Sequence, residues 1–348
     1  MLLFLLTCSS CSSLYRFYID VQEPASVTLP VSAQNVLILN NTVTQSEIFG
    51  IEKTLTYNGQ SVTSDFPLSL DYTAWSAIDG IAGALDESDF FNTIAVYREP
   101  IRSDSRWLPI TYLSPEQQYD FYDTENFDAL LVVEQLFFTL KEDVRKVRSG
   151  PTDARQNAFV VLHANGIITC SMYTYGNEKP LTTFQVSDSI NVNSVFYADS
   201  TILFVVTPER VLKELSYILG NKAAKRFVPT WKTVERTIFI KYNSRMQEAT
   251  GYAANDRWAD AELIWNAEYG TTTKPLNKAK IAINLAVANE MQDKLEQASE
   301  WVQKSKEYLE KVKTNKNDKE IELINKYIAE FEQRVQNNRL LDLQWGKE

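Results

Sequence analysis

The feature that most restricts the folds open to this chain is a repeated spacing between Tyr242 and Glu310. The small residues Ala261 and Ala298 lie 37 positions apart, and a large apolar residue follows four later in each case, Trp265 and Val302. The polar pairs Asn255-Asp256 and Gln292-Asp293 stand before each. Spacings of three and four put side chains on one helix face, and small residues there let a partner helix approach closely. The pattern predicts two helical hairpins joined by the linker Gly270–Pro275. Farther on, between Asn317 and Asn338, Ile321, Ile324, Ile328, Phe331 and Val335 keep a three-four alternation. They predict an amphipathic helix that caps the stack with its polar outer face.

The hairpins resemble the tetratricopeptide repeat, whose period is about 34 residues. Asn284-Leu285-Ala286 and Tyr252 fit the family's preferences, whereas Glu248 stands where the family has leucine. The resemblance implies a concave helical face that binds extended peptides. A plain helix bundle without repeat ancestry is the alternative.

The chain starts Met1-Leu-Leu-Phe-Leu-Leu-Thr-Cys8-Ser-Ser-Cys11. This run is too short to span a bilayer and reads as the second half of a secretory signal peptide. No basic residue precedes it, which leaves room for a start upstream. Small residues ending in cysteine resemble the bacterial lipobox. Cys11, after Ser9-Ser10, is the expected lipid attachment site, with Cys8 as second choice. The resemblance implies a lipid-anchored outer-membrane protein. The lack of acidic residues after Cys11 points to the periplasmic face, because surface-exported lipoproteins of Bacteroidetes tend to carry them there.

From Arg16 to Lys241 the pattern changes. Val36–Asn40, Phe91–Tyr97, Phe127–Phe138, Ala158–Leu162 continued by Ile167–Tyr173, and Leu181–Val186 read as strands. Asn165-Gly166 between two of them is a hairpin signal. Ser69–Leu85, the segment opened by Ser114-Pro115, and Glu209–Leu219 continued by Asn221–Phe227 read as helices. Gly80 and Gly83 are expected to let a helix lie close on the sheet. The expected fold is a mixed α/β domain over 17–241, after a signal remnant and tether over 1–16, followed by an all-α, tetratricopeptide-like domain over 242–348. The stretches "-NVLILN-", "-FDALLVVEQ-" and "-VLHANGII-" resemble the α/β domains of envelope lipoproteins. Examples are the curli secretion lipoprotein, the Tol translocation protein and activators of cell-wall synthases. With the joint "-NKAAKRFVPTWKTVERTIF-" and the helical repeats, the whole resembles a family of uncharacterised Bacteroidetes lipoproteins.

Composition removes several function classes. A net charge of −10 argues against sequence-independent nucleic-acid binding and against charge-driven membrane binding. Contact with the membrane is expected through the N-terminal lipid alone. With one histidine, His163, and three cysteines, no zinc spacing and no nucleophile–base set exists. Acidic clusters such as Asp86–Asp89 and Asp120–Glu125 show no cleft geometry in sequence. No cofactor, metal or catalytic residue is expected. Lys222, Lys225, Arg226, Lys232 and Arg236 form the one dense basic stretch, read either as a docking patch or as a solvated face at a domain joint. Trp301, one position before the packing residue Val302, is the best single candidate for a contact. The expected function is a non-enzymatic envelope lipoprotein that binds another envelope protein. A glycan or small-molecule binder working with an uptake system is the alternative.

Overall fold

The computed structural model describes residues 14–57, 59–99, 101–102, 104–148, 156–196, 206–240, 243–312 and 319–347. Cys8 and Cys11 lie outside them. Nine strands and eight helices are described. In chain order they are β1 (Leu14–Glu23), β2 (Asn35–Asn40), β3 (Ile51–Tyr57), β4 (Gln60–Asp65), α1 (Asp71–Asp86), β5 (Thr93–Val96), α2 (Pro115–Glu125), β6 (Ala129–Arg148), β7 (Gln156–Thr174), β8 (Thr182–Phe196), α3 (Pro208–Ala224) and β9 (Thr230–Phe239). The helices α4 (Ser244–Ala253), α5 (Trp258–Thr271), α6 (Pro275–Glu290), α7 (Leu295–Leu309) and α8 (Lys319–Gln344) complete the chain. A mixed α/β domain is thus followed by an all-α run.

Contacts group the chain into two compact units. One takes Ala25–Thr230 with Gln344–Glu348, and the other takes the chain up to Pro24 with Trp231–Leu343. Strands β1 and β9 pair with each other and group with the helices. Gln344 exchanges two hydrogen bonds with the Ala25 backbone, both at 2.9 Å, which ties the last residues to the α/β unit.

The spine of the α/β unit is β6. Its first residues, Ala129–Val133, run parallel to β2, and Leu140–Lys146 run parallel to β3. On its other edge β6 pairs antiparallel with β7 along its whole length, and β7 pairs with β8. Buried on both faces, β2 is a continuous apolar run, as parallel central strands are. Val36 and Ile38 join the core under α1 and α3, while Leu37 and Leu39 join a smaller cluster with Leu113, Tyr122 and Tyr173. The start of α2 carries the expected Ser114 cap, completed by Gln117 into a reciprocal capping box.

Two local expectations are corrected. Asn165-Gly166 makes no turn: β7 runs straight through it, with Asn165 opposite Thr139 and Gly166 opposite Phe138. A Cβ on Gly166 would come within 2.7 Å of Leu219 Cδ1 and 2.9 Å of Phe138 Cε1, so this glycine serves helix-on-sheet packing. Gly80, expected to face the sheet, faces α3 instead. A Cβ there would lie 2.1 Å from the Tyr217 carbonyl oxygen, and one on Gly220 would lie 1.9 Å from that of Ala77. The two helices therefore touch backbone to backbone, and α3 continues through Gly220 without a break.

Candidate functional site

In the helical unit the two hairpins repeat in backbone detail. The turn after α4 has Asp256 at φ 58°, and the turn after α6 has Asp293 at φ 59°. In each, the last N–H of the turn reaches back to the helix, Arg257 to the Tyr252 carbonyl and Lys294 to that of Asn289, both at 2.9 Å. Aspartate tolerates this left-handed conformation better than most residues, which is why a polar pair marked each break in the sequence. Ala261, Trp265, Ala298 and Val302 are all buried on the hairpins' inner faces.

The centre of this unit is α6, buried without interruption from Ala279 to Glu290. Asn284 makes a bidentate clamp on strand β9. Its Oδ1 accepts from the Phe239 N–H and its Nδ2 donates to the Phe239 carbonyl, both at 2.8 Å. At the end of α6 lies a buried charge cluster. Arg236 of β9 donates through Nε and a terminal nitrogen to the two oxygens of Glu290, each at 2.9 Å. Tyr327 Oη donates to Glu290 at 3.0 Å, and Arg334 also bonds it. Burial opposes the charge on Glu290, but the hydrogen bonds and charges of Arg236 and then Arg334 outweigh it and hold the carboxyl below its ordinary pKa. The sequence reading passed over this cluster. A glutamate closing a helix that also carries Lys278, Lys280, Asn284 and Asn289 gives no local sign of it.

Between α7 and α8 a groove of about 500 Å³ opens. Val335 gives it apolar surface over the buried Val302 and Phe331; Ser299, Gln303, Gln333 and Gln336 give it polar walls, with Glu332, paired to Lys306, among them. This arrangement suits an extended peptide, whose backbone polar atoms the amide groups can meet. A second cavity, of about 320 Å³, is lined by Val21, Lys232, Arg236, Lys326, Glu330 and Arg334 among others. Its cations are answered by carboxylates: Lys232 by Glu23, Lys326 by Glu330, and both arginines by Glu290.

The basic residues singled out in sequence do not form one patch. Lys222, Lys225 and Arg226 sit at the end of α3 in the α/β unit, whereas Lys232 and Arg236 sit on β9 in the helical unit. Lys222 pairs with Asp188 at 2.7 Å, Arg226 lies 4.7 Å over the Phe184 ring, and Lys225 is exposed. Trp301 is half-buried, edge to face with Tyr269 at 5.0 Å.

The α/β unit holds one buried acid, Glu134, at the bulge between Val133 and Gln135. Asn41 Nδ2 donates to it at 2.6 Å and Tyr173 Oη at 3.3 Å. Burial raises its pKa, only partly offset by these bonds. Cys170 is fully buried and its thiol is pushed far up by that burial, so it behaves as a small core hydrophobe. Elsewhere on this unit, Phe49, Trp107 and Phe137 form an aromatic cluster with centroid distances of 5.1–6.3 Å. Phe137 shares its sheet face with Ile167 and Ser187, its cross-strand partners.

Residues 33–239 match the family described as Domain of unknown function (DUF8603), and residues 247–333 match a second, Domain of unknown function (DUF6340). No curated protein matches the sequence. Among solved structures, a DUF330 protein from Xanthomonas campestris is 7% identical, with 55% of this chain and 84% of that one covered and a TM-score of 0.23. A homologue of a neuraminyllactose-binding hemagglutinin from Helicobacter pylori is 10% identical, with 55% and 81% covered and a TM-score of 0.23. At those scores neither likeness carries an argument.

Proposed function

The chain belongs to the family described as Domain of unknown function (DUF8603), and from that premise we propose that it is a non-enzymatic envelope lipoprotein that holds another protein through its helical hairpins. The observation that carries this reading is the open groove between α7 and α8, walled by Ser299, three glutamines and Glu332, with Val335 at its apolar side. We read the hairpins as tetratricopeptide-like, on the strength of their repeated spacing and turns. The N-terminal run supports lipid attachment at Cys11, with Cys8 second, and a place on the periplasmic face of the outer membrane. Among the described residues no helix is long and apolar enough to cross a membrane.

Purification from native envelope tests this reading, with lipid labelling as an internal control. Wild type takes up labelled lipid, and Cys11→Ala does not. One envelope protein co-purifies with wild type and is lost from Ser299→Arg/Gln303→Arg, which fills the groove from two exposed wall positions. A labelled protein whose companions ignore the filled groove would overturn the reading. A second reading, glycan binding, is favoured by the Phe49–Trp107–Phe137 cluster, since aromatic faces stack on sugar rings. Binding on a glycan array that is lost in Trp107→Ala would favour it.

A further inference from the structure

We propose that one face of the helical unit is the docking site for an acidic, extended segment of a partner protein. The face is formed by Trp301, Lys304, Tyr308 and Lys311, with Lys278 and Tyr269 beside them. The proposal rests on the interaction reading above and names the chemistry of the partner.

Trp301, Lys304 and Tyr308 of α7, then Lys311 just beyond its end, follow at intervals of three, four and three, which puts them on one stripe. Tyr269 of α5 meets two of these rings edge-on, Trp301 at 5.0 Å and Tyr308 at 6.0 Å. Three ammonium groups sit on this aromatic bed. Lys304 Nζ lies 3.9 Å from the Trp301 centroid and Lys311 Nζ 4.6 Å from that of Tyr308. Lys278 Nζ stands between Tyr269 and Tyr308, at 4.7 and 5.2 Å.

None of the three lysines pairs with a carboxylate among the described residues, whereas Lys222, Lys232, Lys280 and Lys306 all do. Acids are within reach: Glu300 and Glu307 stand four residues before Lys304 and Lys311, a spacing that commonly forms ion pairs. The lysines lie over the rings instead. Such a cation keeps its full charge, gives up part of its hydration and is already oriented. After a hydrogen bond from Tyr269, a hydrogen bond from Lys278 and the charges of Lys278 and Lys311 help hold the Tyr308 phenol below its ordinary pKa, while burial, the bond to Tyr308 and the charges of Tyr308 and Glu307 raise that of Tyr269. A concentrated cationic strip on a chain of net charge −10 is complementary to acidic side chains. Lys304 and Lys311 are separated by about 10 Å of helix. Carboxylates three apart in a polyproline II segment are about 9 Å apart on one side of it, so the strip spaces its charges as such a segment does. Nucleic acid fits less well, because the rest of the chain would repel its phosphates.

The test is fluorescence anisotropy with the full chain and a labelled peptide of Glu-Pro-Ser repeats, beside a Lys-Pro-Ser control. Wild type binds the acidic peptide, more weakly as salt rises, and ignores the basic one. Lys278→Gln/Lys304→Gln/Lys311→Gln weakens binding at least tenfold, while Lys222→Gln/Lys225→Gln leaves it unchanged. No binding by wild type, equal binding by the triple variant, or a single-stranded oligonucleotide that outcompetes the peptide would each overturn the proposal. If the triple variant still co-purifies the envelope partner that Ser299→Arg/Gln303→Arg loses, this site fails and the groove reading stands.

Discussion

Glu290→Gln lowers the stability of the protein at neutral pH by about 3–5 kcal/mol, the usual cost of removing one partner from a buried ion pair. The change keeps the shape of the side chain and removes its charge. Two guanidinium groups, one of them with a side chain only 3% exposed, then lose their shared buried carboxylate, and Arg236 is left with the more exposed Glu330 at 3.5 Å. The sign with pH follows from the direction of the shift. The folded-state pKa of Glu290 is lowered, so its contribution is full above the unfolded carboxyl value, about 4.3, and is lost as pH falls through the folded value. Glu134 has the opposite sign. Its folded pKa is raised by burial, so the folded state is penalised as pH rises from the unfolded value through the folded one. Glu134→Gln, a mimic of the protonated form, therefore causes no comparable loss at neutral pH. Urea denaturation of both variants between about pH 4 and pH 7 checks the pair. A Glu290→Gln protein as stable as wild type, or a Glu134→Gln protein equally damaged, would refute the assignment.

Gly220→Ala lowers stability by about 2–3 kcal/mol, in the range of core overpacking, although alanine is the better helix former by about 1 kcal/mol. The added methyl would lie 1.9 Å from the Ala77 carbonyl oxygen, a backbone atom with no rotamer to yield. Gly80→Ala should behave alike, because its Cβ would meet the Tyr217 carbonyl oxygen at 2.1 Å. Gly251 in α4 is the contrast: nothing lies within 4 Å of its Cβ position. There Gly251→Ala gains about 0.5–1 kcal/mol by reducing the freedom of the unfolded chain. Thermal melts of the three variants decide it; a stabilising Gly220→Ala would mean that α1 and α3 do not touch as described.

The helical hairpins were legible because helix packing writes itself locally: Ala261 and Trp265, and again Ala298 and Val302, fall four apart, and Asp256 and Asp293 mark the turns. The central strand β2 was legible for a similar reason, since burial on both faces leaves only apolar residues. Strands β3 and β4 were missed because Glu52, Lys53 and the exposed run Gln60–Asp65 carry no apolar alternation. Pairing of β1 with β9 joins residues some 200 positions apart, which no local window can see. Asn165-Gly166 misled because a glycine required by Leu219 and Phe138 looks the same in sequence as one required by a turn. Glu290 was invisible in the same way, since a glutamate at a helix end reads as solvated until Arg236 and Arg334 are placed against it. The lysines of the α7 stripe were passed over because their partners are rings on other helices.

The most direct measurement is site-specific photo-crosslinking in native envelope from two exposed positions, Gln336 at the groove and Ser187 on the sheet face of the α/β unit. The account predicts one discrete protein adduct from Gln336 and none from Ser187. An adduct from Ser187 with none from Gln336 would contradict it and move the function to the sheet and its aromatic cluster.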